Sequence, residues 1–149
     1  MKSKESPTAL PIADVDFNKL LEYDREIFLV PRTGFLRRWI VQVDSVGYYV
    51  ENETHLLGYG ILRKCIKGYK VGPLFADNEV IAVEILEALI SNIAGEFYYL
   101  DIPEPNSESL KIAEQFNMQK IFETARMYSK EIPNVPLHKV FGITSFELG

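Results

Sequence analysis

The run Lys70-Val71-Gly72-Pro73-Leu74-Phe75-Ala76-Asp77-Asn78-Glu79-Val80-Ile81-Ala82-Val83-Glu84-Ile85-Leu86, continuing to Gly95, decides how the rest of the chain is read. Lys70 to Phe75 reads as a strand, ended by the turn-forming pair Asp77-Asn78. From Glu79 to Ala94 the apolar residues Ala82, Ile85, Leu86, Leu89 and Ile93 fall at i, i+3, i+4, i+7 and i+11, the period of a helix face. Gly95 stands where a left-handed C-cap is expected. Phe97 to Ile102 then reads as a buried strand closed by Pro103 and Pro105. Asn106 is placed to cap a second helix, with Leu110, Ala113 and Phe116 facing inward and Asn117 at its end.

Working outward, Gly47–Val50 and Leu56–Leu62 read as two strands around an Asn52-Glu53 turn. Before them, a helix starts near Asp14 or Asp16 and carries Phe17, Leu20, Leu21, Ile27 and Phe28 at helical spacing, with Asp24 on the same stripe. Pro31 stops it, and Thr33-Gly34 opens a shorter helix with Phe35, Leu36, Trp39 and Ile40 on one face. Residues 1–13, with Pro7 and Pro11, read as a tail or linker, which leaves 14–149 as the domain. Two strands are expected to finish the chain, near Lys120–Tyr128 and Lys139–Leu148, around the Pro133 and Pro136 loop. The order implies an α/β (α+β) domain, a mixed sheet with helices on both faces.

Composition narrows the function classes. The 149 residues carry 16 Lys+Arg against 21 Asp+Glu, a net charge of −5, which gives no footprint for nucleic acid. An apolar share of 47% with 25% charged residues suits one soluble globular core. No apolar run approaches the ~20 residues of a membrane span, and no secretory leader is visible, so a cytoplasmic location without membrane contact is expected. One cysteine and two histidines are a poor kit for a metal site, and no metal is expected. Cys65 is expected to be a small buried residue, with His55 and His138 at the surface.

The element order resembles that of the GNAT superfamily of acyl-CoA-dependent N-acyltransferases. Val71-Gly72-Pro73-Leu74 resembles the fourth GNAT strand, Ala82–Leu89 the helix after it, and Asp101-Ile102-Pro103-Glu104-Pro105-Asn106 the fifth strand with its helix-opening Asn. More closely, the chain resembles the second half of YitH-like tandem GNAT proteins. That likeness rests on Tyr23-Asp24-Arg25, Phe35-Leu36 with Trp39, Gly68–Asp77, Ala125-Arg126-Met127-Tyr128 and Phe141–Gly149. The resemblance implies splayed central strands in a mostly antiparallel sheet, and acetyl-CoA as cosubstrate. The pantetheine arm would pair with the strand carrying Val71, Gly72 and Leu74. The pyrophosphate would sit at the helix start marked by Asn78 and Ala82, with Asn106 on the neighbouring helix. A small amine would attack the thioester, and the protein would position it, accept a proton and stabilise the oxyanion.

The sequence departs from the family pattern at two places. The glycine-rich phosphate cradle is replaced by Asp77-Asn78-Glu79-Val80-Ile81-Ala82, which keeps only the last small residue. Asp77 and Glu79 are expected to serve the helix, one as cap and one as first-turn carboxylate. The usual general-acid Tyr is replaced by Ala113, so Tyr98, Tyr99 or Tyr128 would have to substitute. Tyr128 and Asp101 are the catalytic candidates; Asp101 is a general base or a partner for a backbone or basic group. Asp24, Tyr99 and Arg126 are candidates for substrate contact. The competing reading has Asp24 bond Arg32 or a loop backbone, and pairs Arg126 with Asp101. These features leave two functions open: an N-acyltransferase for a small amine, or a catalytically silent GNAT-like half that packs against a partner GNAT domain or forms a homodimer.

Overall fold

In a computed structural model the chain is described over residues 8–28, 32–65, 68–100, 107–116, 118 and 137–142. After a two-residue strand and a 3-10 turn come two helices, α1 (Phe17–Phe28) and α2 (Thr33–Trp39). A meander follows, β2 (Ser45–Glu51), β3 (Leu56–Lys64) and β4 (Tyr69–Ala76), preceded along its edge by a two-residue strand β1 (Leu10–Pro11). The remaining elements are α3 (Glu79–Ile90), β5 (Tyr98–Leu100), α4 (Ser107–Gln115) and β6 (Val140–Gly142). The sheet runs β1-β2-β3-β4-β5, with β6 also paired to β4. Among the described strands only β4 and β5 are parallel, and α3 supplies the crossover that a parallel pair requires.

The strand that decided the reading is central, and it is irregular. Gly60 faces Leu74 while Leu62 faces Val71, so Gly72 and Pro73 together stand opposite the single residue Ile61. That is a β-bulge, which kinks a strand and breaks its ladder locally. The other edge of β4 changes partner at the same point. Tyr69, Lys70 and Val71 pair with Tyr98, Tyr99 and Leu100 of β5, whereas Leu74 and Phe75 pair with Gly142 and Val140 of β6. Gly142 permits this closure: a Cβ there would lie 2.6 Å from Leu100 Cδ1 and 3.2 Å from Leu74 Cβ.

Each face of the sheet has its own core. Val50, Leu62, Val71, Leu74 and Phe141 pack with Ile81, Ala82, Ile85, Leu86 and Leu89 of α3 and Ile112 of α4. On the opposite face Tyr49, Leu56, Tyr59, Ile61 and Phe75 pack with Leu20, Tyr23 and Ile27 of α1 and Leu36 of α2. The alternation of side chains along the strands sorts them between the two cores.

Several sequence expectations need correction. The tail does not extend to residue 13, because Leu10 and Pro11 pair with Tyr49 and Tyr48, and Ile12 is buried in a short 3-10 turn. A two-residue edge strand carries no alternation to detect. The long helix ends at Ile90 and tightens into a 3-10 turn over Ser91–Ile93, although Gly95 does adopt the left-handed conformation, φ 84°. The strand after it starts one residue later and is less buried than its composition suggested: Phe97 lies outside it and is 80% exposed. Among the described side chains of α4 Ile112 is fully buried, Ala113 and Phe116 are only half-buried, and Leu110 lies outside those described. The expected strand over 120–128 and most of the last one lie outside the described residues, and Lys139 belongs to a 3-10 turn before β6.

Candidate functional site at the break in the central sheet

The bulge at Gly72-Pro73 is bracketed from one face by α2. Trp39 ends that helix, and its indole Nε1 donates to the Gly72 carbonyl at 3.1 Å. Phe35, one turn earlier, stacks on Trp39 with centroids 4.9 Å apart. The i, i+4 spacing that suggested an apolar face therefore builds an aromatic platform against the strand break.

Behind the platform lies a buried ionic network. Asp24 of α1 has no solvent exposure, and Arg32 grips it bidentately through Nε (2.7 Å) and Nη2 (2.8 Å). Tyr59 of β3 donates its hydroxyl to the same carboxylate at 2.5 Å. Both carboxylate oxygens are thus committed to the protein itself. A buried carboxylate requires such partners, and removing one leaves an uncompensated charge. Asp24 therefore follows the internal pairing and is closed off from an acceptor molecule, a correction to its place among the substrate contacts. Burial and the adjacent Asp24 charge push the Tyr59 phenol well above its usual value. Burial acts to lower the Arg32 pKa, but the bonds and charges of Asp24 and Tyr59 outweigh it and raise the net value. Tyr59 was not among the candidate site residues. The period-two row Tyr59, Ile61, Arg63 was the signal that could have placed it opposite Asp24.

The start of α3 differs from the expected arrangement. Asn78, not Asp77, is the cap: extended at φ −158° and ψ 178°, it accepts from the Ile81 amide at 3.0 Å. Asp77 instead turns toward α1 and β6, accepting from the Tyr23 hydroxyl at 3.0 Å and pairing with Lys139 Nζ at 3.4 Å. Its charge is therefore drawn off the helix axis. Glu79 does occupy the first turn. Burial, followed by the Asp77 charge and hydrogen bond, raises the Tyr23 phenol far above its ordinary value.

These placements bear directly on acyl-CoA. The α3 N-terminus offers the positive end of a 12-residue helix, which favours an anion. The rest of the described cradle fits poorly. Ala82 is wholly buried in the core, Val80 stands 67% exposed where a glycine would let backbone approach a phosphate, and Asn78 already occupies the Ile81 amide. Val71 and Leu74 are fully buried, and their outer edge carries β5 and β6. The edge at 74–75 would have to give up β6 before an extended ligand could pair with it.

Among the other candidates, Tyr99 is half-buried on β5 opposite Lys70, on the same side of the sheet as Trp39. Asp101, Asn106, Arg126 and Tyr128 lie outside the described residues. Cys65 is half-buried beside Arg63 Nη1 at 3.9 Å, rather than fully enclosed. His55 and His138 are exposed. Among the described residues no group of three or more His, Cys, Asp or Glu could hold a metal, and no helix is long and apolar enough to cross a membrane.

Comparison with known proteins agrees with this architecture. The family profile described as Acetyltransferase (GNAT) domain matches residues 20–142. A curated relative, the holothin acyltransferase of Pseudoalteromonas sp. (strain SANK 73390), is 24% identical over 135 residues, covering 90% of this chain and 46% of its own length. A crystal structure of a putative acetyltransferase from Pyrococcus horikoshii superposes with a TM-score of 0.64 at 21% identity, over 98% of this chain and 47% of that one. The aminoglycoside 6'-N-acetyltransferase AAC(6')-Ih of Acinetobacter baumannii superposes at 0.59 with 13% identity, over 85% of this chain and 99% of that one. The chain thus spans about half the length of the curated relative and of the Pyrococcus protein.

Proposed function

This chain belongs to the GNAT acetyltransferase family, and from that premise we propose that it takes part in acyl transfer from acyl-CoA to the amine of a small molecule in the cytoplasm. The observation that carries the reading is the family match across residues 20–142, a span that includes both the break in β4 and the opening of α3. The names of the relatives support acyl transfer as the chemistry.

In this reading the chain's own residues bind and orient. The platform of Phe35 and Trp39 fixes the Gly72 carbonyl at the bulge and excludes water from one side of it. The Asp24, Arg32 and Tyr59 network holds α1 and the start of α2 against β3, so that the platform keeps its place. Holding an amine in line with a thioester contributes most of the acceleration available to a site with few acid–base groups. Because the cradle residues described fit the cosubstrate poorly, no step is assigned to them.

The test is direct. Calorimetric titration with acetyl-CoA is expected to give micromolar binding, and a thiol-release assay over a panel of small amines is expected to give turnover. The absence of both binding heat at saturating acetyl-CoA and thiol release would refute the reading. One observation favours a second function, that of a non-catalytic half: β6 already occupies the β4 edge at Leu74 and Phe75. On that reading the chain is silent alone and shapes the acceptor site of a partner GNAT domain, as the second half of a YitH-like tandem protein would. Turnover by the isolated chain would exclude it.

A further inference from the structure

The side of the sheet beneath Trp39 carries a row of residues that neither the buried network nor the core explains. Cross-strand partners share a face, so Ser45, Arg63, Lys70 and Tyr99 line up across β2, β3, β4 and β5. Ile61, two residues before Arg63, belongs to the α1–α2 core, which fixes that row on the Trp39 side.

Arg63 is the unusual member. Its guanidinium lies over the Trp39 ring, 5.1 Å from the centroid, and Nη1 reaches only the weak acceptor Cys65 Sγ at 3.9 Å. Its Nε is buried and has no hydrogen-bond partner. An unsatisfied buried donor on a charged group is costly, and native structures rarely leave one without a reason. The contrast with Arg32 is instructive. That residue presents Nε and Nη2 together to Asp24, the side-on fork that a planar carboxylate fits. Among the described residues no carboxylate plays that part for Arg63.

We propose that Arg63, stacked on Trp39 and facing Lys70, anchors a carboxylate of the acceptor, so that the amine to be acylated belongs to an amino-acid-like molecule. The inference rests on the acyl-transfer reading for the role of the ligand, but not for its binding. Arg63 as a residue is half-buried although its Nε is enclosed, and a cation–π contact is tolerant of sliding, so a small turn of the guanidinium on the indole would present the Nε–Nη2 edge to an arriving carboxylate. Tyr99, next in the row, flanks the same position. Trp39 holds the group beside the Gly72 carbonyl, at the point where β4 changes partner.

The chain has a single tryptophan, so Trp39 fluorescence reports this position without labelling. The probes are N-acetylglycine and its neutral counterpart N-acetylglycinamide, titrated in the absence of any acyl donor. N-acetylglycine is expected to give a saturable change, with half-saturation roughly tenfold or more below that of the amide, the scale of a charge-assisted fork. Arg63→Met is expected to abolish that preference, while Arg63→Lys keeps the charge and part of the preference. Equal responses to the two probes, no response to N-acetylglycine, or an unchanged preference in a folded Arg63→Met protein would overturn the proposal. Should Arg63→Met fail to fold, an Arg63→Lys protein binding the acid as tightly as the parent would count against the fork. Since no turnover is measured, failure of the acyl-transfer reading would leave this result standing.

Discussion

The two faces of the sheet achieve burial by different means. Beneath α3 and α4 the core is aliphatic: Leu86, Leu89, Ile85 and Ile112 meet Leu62, Val71 and Leu74, all at or near zero exposure. Beneath α1 and α2 the same sheet holds a buried carboxylate, a bidentate arginine, two hydrogen-bonded phenols and a row of stacked cations and rings. An aliphatic core would stabilise either face at least as well, because buried ion pairs recover their desolvation cost only with good geometry. The polar face therefore carries a geometric task. It holds Trp39 on the Gly72 carbonyl and places Arg63 and Lys70 side by side.

That contrast can be broken experimentally. Asp24→Ala removes the carboxylate to which both Arg32, whose side chain is 9% exposed, and the Tyr59 hydroxyl donate, and is expected to cost about 4 kcal/mol in urea unfolding. A loss below about 1 kcal/mol would show that the network is not the keystone of its face. On the other face, Leu89→Ala is expected to cost about 3 kcal/mol through lost burial and a residual cavity. That cost should stay nearly constant with salt and pH, which unfolding at several conditions would check.

The phenols distinguish the faces by pH. Tyr23 and Tyr59 have folded pKa values raised by burial and a neighbouring carboxylate, so they remain protonated when the unfolded chain ionises at its ordinary value near ~10. Their contribution is intact below that pH and is lost progressively as pH rises above it, by about 1.4 kcal/mol per unit for each phenol. Tyr59→Phe should unfold more easily at neutral pH yet lose less further stability between pH 10 and 11; an unchanged alkaline slope would contradict the assignment. The smallest effect is at α3, where Asn78→Ala removes a cap worth about 1 kcal/mol and should leave the Trp39 signal unaltered.

How much of this was legible in the sequence follows from where periodicity carries information. The strand–helix junction at Asn78 and the left-handed Gly95 were readable because apolar spacing and turn chemistry are local signals. That Asp24 needs an internal partner was readable, because a carboxylate on an apolar stripe cannot stay buried alone; the structure selects Arg32, eight residues on, over a loop backbone. Tyr59 and the partner change along β4 were not. Which strand edges meet is a nonlocal matter, and neither the Gly72-Pro73 bulge nor the Gly142 contact leaves a periodic trace. The redirection of Asp77 toward Tyr23 and Lys139 joins three distant parts of the chain for the same reason.

The most direct test of the claim that the polar face is the binding face is a chemical-shift map of the 15N-labelled chain titrated with N-acetylglycine. The account predicts shifts at the single indole N–H and at the backbone amides of Arg63, Lys70, Gly72 and Tyr99, with the α3 amides from Ile85 to Leu89 unmoved. Shifts confined to α3, or none at the indole at saturation, would contradict it.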